Sequence, residues 1–441
     1  MALSWPVWRP GRAFNTMCGL LFLAGLLRFF VPFHPGSEVP QGYEAVRVAR
    51  NLLDGHGFAS PFGLYATGRT AQMAPVYPFF QAALWRLFGT GDVGNFLFHN
   101  VEAVALALQI ALFPLLARAF QMHTSAGLIA AVIGLTPAVV QAHPRWETNY
   151  VATLIALITW GMCMIAREGA PPSRIVVPVA FLWGLLIFAN PNSVLPYCAW
   201  LAWWGFPLVS QRDAPAKGRA RTLLILVVIP AVVILPWIVR NHVVFERFIF
   251  IRGNLGMELN VSNNPCAQFG MRINQRTGCF QAIHPSESIV EARKLGAMGE
   301  VAYQKALLNQ AVEWIQQNPQ RFLDLALQRF WLFWFPSDEG NNVAELFSMG
   351  RRRGLRAFVV YSATLLSLPG LLLLLSRNRL GGTICLLWLG LFPIVHYVVQ
   401  FNDRYRAPIL WLTFLLAGFT IASLFQRLAF DAGAGKKSQM V

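Results

Sequence analysis

The chain has 441 residues, of which 56% are hydrophobic and only 13% charged, with a mean hydropathy of +0.48. This composition excludes an ordinary soluble globular protein and a disordered one, and points to a polytopic membrane protein. The formal net charge of +16 would suit nucleic acid in a soluble chain. In a membrane chain basic residues gather instead in cytoplasmic loops and beside headgroups, so no nucleic-acid partner is expected.

A helix needs about 20 apolar residues to cross about 30 Å of hydrocarbon. The first such stretch, 14–33, follows Arg9 and Arg12, and no small-residue cleavage site comes after it, so it reads as a retained span rather than a signal peptide. Next comes "GYEAVRVARNLLDGHGF" (42–58), a helix with one polar stripe, and then a shorter apolar piece at 74–88 that suits the interface. Spans follow near 93–117, 124–142, 147–166, 174–190, 193–209 and 222–239. The long polar stretch 240–356 comes next. Within it, residues 284–319 are helical in composition and stop at Asn318-Pro319, as the residue before a proline should. A second helix runs from about 320 into "RFWLFWF", aromatics that suit a membrane interface. The last spans lie near 357–376, 380–400 and 407–426. The expected fold is all-α, with about ten transmembrane helices, interfacial helices in the first outer loop and a small helical outer region.

Basic residues in short loops fix the orientation, because they are retained on the cytoplasmic side. Alternate connections carry Arg118; Arg167 and Arg174; Arg212, Lys217, Arg219 and Arg221; and Arg377 and Arg379. Arg9 and Arg12 lie at one end and Arg427, Lys436 and Lys437 at the other. Both termini are therefore expected in the cytoplasm, and 34–92 and 240–356 become the two large outer loops. Cys266 and Cys279 lie in the second of these, where an oxidising compartment would make them a disulfide candidate. Cys18, Cys163, Cys198 and Cys385 fall inside apolar segments.

With this topology the unusual polar clusters all land on the outer side: Glu38, Glu44, Arg47, Arg50 and Arg69 in the first loop; His143, Arg145 and Glu147 in "HPRWET"; Asn190 and Asn192 in "NPN"; Arg240, Asn241 and His242 in "RNHVVF"; and Asp403, Arg404 and Arg406 in "NDRYRAP". Each has a plain structural explanation alone: a weak exposed ion pair for Glu44 and Arg47, a turn for "NPN", lipid-phosphate contacts for the arginines. Together they describe a cavity opening at the bilayer surface and suited to an anionic lipid-linked ligand. Arginine offers a planar fork to phosphate oxygens, and a nearby carboxylate can take a proton from an attacking hydroxyl. Glu102 lies inside a span, close to the headgroup level, and an ionisable group there is a functional candidate by default. His143, His242 and His284 lack metal-ligand spacing and stay unassigned.

Several stretches also read in order as a family pattern: "YEAVRVARNLLDGHGF", "TGRTAQMAPVYPFFQAALWRLFG", "WETNYVATLIAL", "LPWIVRNHVVFERFIFIRGNLGMEL", "GEVAYQKALLNQAVEWIQQNPQRF" and "RYRAPI". From about 14 to 426 the chain resembles membrane glycosyltransferases of the GT-C class, in the dolichyl-phosphate-mannose protein mannosyltransferase and aminoarabinose transferase superfamily. The resemblance implies inverting transfer of a sugar from a polyprenyl-phosphate donor to a lipid, glycan or protein acceptor on the exoplasmic face. It implies a first-loop carboxylate as general base, a role that falls to Glu44 or Glu38, with Glu44 preferred on the predicted helix. Gln72 or Met73 stands where relatives can carry a lysine, so Arg69, assisted by Arg404 or Arg406 and by Arg240, is expected at the donor phosphate. Tyr43, His143, Arg145, Glu147, Asn190 and His242 are expected at the substrate.

No cofactor is required, although some of the wider class use a divalent cation, and the expected partners are the polyprenyl-linked sugar, membrane lipids and an acceptor of unknown kind. The implied organisation is an N-terminal catalytic membrane module (1–239, including the first outer loop 34–92), an outer region (240–356), C-terminal spans (357–426) and a cytoplasmic tail (427–441), in a cell inner membrane. A transporter or flippase of an anionic lipid, and an O-antigen-ligase-like enzyme with a diphosphate donor, are the competing readings.

Overall fold

The computed structural model describes residues 11–33, 35–36, 43–136, 147–168, 171–205, 215–336 and 351–438. Among them regular structure is helical, and the only β pairing is a pair of isolated bridges, Ala59 with Arg69 and Gly270 with Phe401. Glu38, His143 and Arg145 lie outside the described residues.

The membrane helices follow the apolar runs. They are α1 (Arg12–Phe29), α4 (Asp92–Ala119), α5 (Thr124–Leu135), α6 (Thr148–Arg167), α7 (Ser173–Ala189), α8 (Val194–Gly205), α9 (Pro215–Phe245), α16 (Arg351–Arg377), α17 (Arg379–Leu386) continuing through a π turn at Leu387–Leu391 into α18 (Ile394–Val398), and α19 (Ala407–Ser438). Six of these stretches, in α4, α6, α9, α16, α17–α18 and α19, are long and apolar enough to cross a bilayer by length and composition, and α5 and α7 are shorter apolar helices. The chain is a multi-pass membrane protein. α19 is the central post, packed against α5, α6 and α16. Where it crosses α5, a Cβ on Gly418 would lie 2.4 Å from the Ala126 carbonyl oxygen, so the backbones meet at a residue without a side chain, as expected where helices associate without a hydrophobic driving force. Glu102 of α4 is buried inside the bundle and accepts from Asn149 Nδ2 of α6. Its carboxylate thus faces a neighbouring helix and is not accessible to lipid headgroups.

The two long connections fold together at one end of the bundle. The first holds α2 (Glu44–Leu53) and α3 (Val76–Phe88); the second holds α10 (Leu255–Ser262), α11 (Met271–Arg276), α12 (Cys279–Ile283), α13 (Ile289–Met298), α14 (Glu300–Gln317) and α15 (Pro319–Trp334). The helical stretch expected across 284–319 starts only at Ile289 and is broken at Gly299, whose φ of +76° is open to glycine at little steric cost. The helix does end at Asn318 before Pro319. A small apolar core of Phe62, Met257, Val261, Phe280, Leu295, Tyr303 and Leu307 joins the two connections.

Polar staples lock them. Glu300 accepts from Thr70 Oγ1 at 2.5 Å and from the Ala71 amide at 2.7 Å, and Gly253 donates to the Ala71 carbonyl at 2.8 Å. Arg329, fully buried on α15, donates to Asn263 Oδ1 at 3.1 Å and to the Val398 carbonyl at 3.0 Å, tying the layer formed by the two long connections to the last spans. Cys266 and Cys279 are joined by a disulfide that closes the loop carrying α11.

Candidate active site

Between the bundle and this layer lies a cavity of about 270 Å³. Its wall draws on six separated stretches of chain: Glu44 and Ala45; 72–78; Glu147 and Thr148; 190–192; 250–258; and 395–408. The fold explains the convergence, because these stretches are the helix ends and connections at the bundle end where the two long loops sit.

Glu44 opens α2. Tyr43, at the N-cap, carries no side-chain cap bond there and packs instead with Val46, Ala49, Ala82 and Trp85, pinning α2 to α3. Ala45, Val46, Val48 and Ala49 form the buried face of the helix, so its polar stripe turns Glu44 to the cavity. The carboxylate retains 22% side-chain exposure. Burial, reinforced by the neighbouring Glu258 and opposed by Arg404, Arg252 and Arg47, pushes its pKa up to about 7. A group so placed exchanges a proton near neutrality, the range suited to a general base.

Two arginines face the same space. Arg404 sits in a 3₁₀ turn (Asp403–Arg406) begun by Asn402, whose Oδ1 accepts the Arg404 amide at 3.2 Å. Arg252 donates Nε to the Gln72 carbonyl at 3.3 Å and lies 3.9 Å from Glu258 Oε1. Asn254 Nδ2 donates to the same Glu258 oxygen at 2.9 Å. On the bundle side Asn190 Oδ1 caps the "NPN" turn through the Asn192 amide at 3.2 Å, and Asn192 Nδ2 lies 3.4 Å from His396 Nε2. His396 stacks on Tyr405 with ring centroids 4.5 Å apart.

Of the residues expected from sequence, Glu44, Glu147, Asn190 and Arg404 line this cavity. Five others sit elsewhere, among them Tyr43, which packs against α3 rather than lining the cavity. Arg406, two residues beyond Arg404, turns into the bundle and donates to the Trp334 carbonyl and, at 2.7 Å, to Thr364 Oγ1. Arg240 donates to the carbonyls of Thr70 at 2.8 Å and Phe58 at 3.1 Å, with its guanidinium over the Trp237 ring. Arg69 is exposed beside its bridge to Ala59, and His242 is exposed on α9. Arg252, Glu258 and His396 carry polar chemistry into the cavity and were missed. The first two lie in "RGNLGMELN", which has no period of its own, and His396 lies in an apolar run. Among the described residues no three His, Cys, Asp or Glu side chains gather to hold a metal ion, so the donor set for the divalent cation of the wider class is not found there.

No protein-family model and no curated protein sequence matches the chain. Solved structures do. The apo oligosaccharyltransferase of Archaeoglobus fulgidus superposes with a TM-score of 0.58 at 12% identity, over 98% of this chain and 53% of that one. The oligosaccharyltransferase AglB of Archaeoglobus fulgidus, solved with an inhibitory peptide and a dolichol-phosphate, gives 0.56 at 12%, over 97% and 52%. ArnT from Cupriavidus metallidurans in the apo state gives 0.40 at 15%, over 92% and 77%. The chain thus spans about half the length of the oligosaccharyltransferases, and it has a GT-C-like fold.

Proposed function

We propose that this GT-C-fold chain is a membrane glycosyltransferase that moves a sugar from a polyprenyl-phosphate donor to an acceptor hydroxyl or other nucleophile. The observation that carries the reading is the joint arrival of Glu44, Arg404 and Arg252 at one cavity beneath the outer layer. A polyprenyl tail is too apolar to leave the bilayer, and its phosphate is too charged to enter it, so the reacting bond lies at the depth of this cavity. Binding of a dolichol-phosphate by a neighbour of the same fold supports a donor of that class.

In this mechanism the donor phosphate lies against the guanidinium groups of Arg404 and Arg252, which stabilise negative charge as it develops. Ionised Glu44 accepts the acceptor proton as the acceptor atom attacks the anomeric carbon. The bond from that carbon to the phosphate oxygen breaks, the configuration inverts, and polyprenyl phosphate leaves with the bonding electrons. Glu147, Asn190 and Asn192 suit hydrogen bonding to sugar hydroxyls from the bundle side. The distribution of basic residues supports an exoplasmic site with cytoplasmic termini. Cys266–Cys279, joined in the same outer layer, suits that oxidising side.

The test is release of polyprenyl phosphate from radiolabelled polyprenyl-phosphate sugars by the protein in lipid nanodiscs, with acceptor extracts, comparing wild type with Glu44→Gln. Release by wild type and its loss in the variant is the expected result. Donor binding without release by any form would replace the transferase with a carrier of anionic lipid. Release only from diphosphate-linked glycans would make it an O-antigen-ligase-like enzyme.

A further inference from the structure

His284, which the mechanism above does not use, is buried in the outer layer with its ring aimed at Glu44. It follows α12 directly, stacked on Phe280 with centroids 4.4 Å apart and planes 14° from parallel, and meets the Phe62 ring edge-on at 5.6 Å. Phe62 belongs to the first long connection and Phe280 to the second, so the ring is gripped by both. Nδ1 lies 3.1 Å from the Ser286 amide, which donates to it, and 2.6 Å from Ser286 Oγ. A nitrogen that accepts a backbone N–H carries no proton in the neutral ring, so this network assigns the proton to Nε2. Nε2 in turn lies 4.0 Å from Glu44 Oε1.

We infer that His284 is a positioning residue for Glu44: its Nε2–H, fixed in tautomer by Ser286 and in orientation by Phe280 and Phe62, holds one carboxylate oxygen so that the other faces the reacting proton. The inference rests on the reading of Glu44 as the base. The separation is longer than a hydrogen bond, and a small rotation of either side chain closes it, as catalytic contacts commonly tighten when substrate binds. Burial holds the His284 pKa down to about 3, so the ring stays neutral at working pH and acts as a dipole rather than as a second charge. The other charged groups facing Glu44 are Arg47 on its own helix, Arg252 and Glu258 from the second connection, and Arg404 from the last one. A neutral donor among them stabilises the ionised carboxylate without competing for the phosphate that the arginines attract. A purely structural histidine would need only its Ser286 bonds and ring stacking. The edge presented to Glu44 is what that account leaves unused.

The experiment is an infrared titration of the Glu44 carboxyl in nanodiscs, taken as the difference between each form and its Glu44→Gln counterpart, with turnover measured beside it. In His284→Phe, which keeps the stacking but removes the N–H, the titration midpoint is expected to rise by about half a pH unit or more, with kcat falling and donor KM little changed. In His284→Gln, whose Nε2 reproduces the lost donor, the midpoint and kcat are expected to recover. A midpoint unmoved in His284→Phe overturns the inference. Should that variant fail to fold, 15N spectra of the wild-type imidazole decide: Nε2 protonated, with a shift that responds to Glu44→Gln, supports the contact, and a protonated Nδ1 or an unresponsive Nε2 overturns it. A coupled titration in a protein whose Glu44→Gln form still turns over donor would leave the contact intact and remove Glu44 as base, so the two failures are distinct.

Discussion

Two carboxylates shielded by the two long connections, the half-buried Glu44 and the buried Glu300, show how little burial alone says about function. Burial raises the pKa of both. Glu300 closes α14 onto the first connection, with Thr70 Oγ1 on one oxygen and the Ala71 amide on the other, and Arg240 nearby as a partial counter-charge. Glu44 has the opposite surroundings: an opening to a cavity of about 270 Å³, an imidazole edge at 4.0 Å, and arginines that line the same cavity. A carboxylate whose lone pairs are already used fastens a fold. One whose lone pairs are left toward a cavity is available for chemistry, and the difference lies in the donors around it rather than in its depth.

The largest effect that tests this contrast is on turnover. Glu44→Gln keeps the shape and removes the proton acceptor, and loss of a general base typically lowers the rate by about 10²–10⁴-fold. The helix content and thermal midpoint of the variant should match wild type, since the site gains nothing for stability from a carboxylate whose ionised form burial disfavours. The pH profile follows from the same group. The base works ionised, and with its pKa raised to about 7 the rate should climb with pH below about 7 and level off above it. A plateau already reached at pH 5 would mean that Glu44 is not the group being titrated.

The next effect separates two neighbours in "RYR". Arg404→Ala removes a charged donor from the cavity and is expected to raise donor KM by about 10- to 100-fold, the range for a charge-assisted hydrogen bond worth about 1.5–3 kcal/mol, with little change in stability. Arg406→Ala strips partners from the Trp334 carbonyl and from Thr364 inside the bundle. It is expected to lower the thermal midpoint and leave donor KM alone. Equal KM values in the two variants would remove Arg404 from the donor site.

That pair also marks where the sequence stops being informative. Apolar length placed the spans well, because about 20 residues of hydrocarbon-compatible chain have few other uses. Charge in short loops then put Glu44, Glu147, Asn190 and Arg404 at one end of the bundle, and the structure brings these four to one cavity. Topology gives the end of a helix but not the direction of a side chain. Arg404 and Arg406 belong to one 3₁₀ turn, yet one lines the cavity and the other is buried between α16, α19 and Trp334. His396 was hidden by its apolar run, and a π turn at Leu387–Leu391 precedes it, an irregularity that composition does not announce. The break at Gly299 was missed because helical composition continues on both sides of it. His284 drew attention only as a possible ligand, since more than half the chain's length separates it from Glu44.

The smallest effect on turnover is expected at the other carboxylate. Glu300→Ala leaves the Thr70 hydroxyl and the Ala71 amide without their acceptor, and both are buried against α14. An orphaned buried donor costs about 1–3 kcal/mol, so the thermal midpoint should fall. The first connection is held to the second by other contacts as well: Gln304 Nε2 donates to Gln72 Oε1 at 3.2 Å, with Gln304 fixed inside the second connection by its Oε1 accepting the Met257 amide at 2.8 Å, and Gly253 donates to Ala71. Those contacts keep the cavity wall near Gln72 in register. Turnover per folded molecule, measured well below the new midpoint, is therefore expected to stay within about twofold of wild type, as for a substitution that acts on stability alone, with the pH profile unshifted. A variant that keeps its midpoint but loses turnover would reverse the contrast, making Glu300 a participant in the chemistry and Arg240 its partner rather than a clamp on the loop.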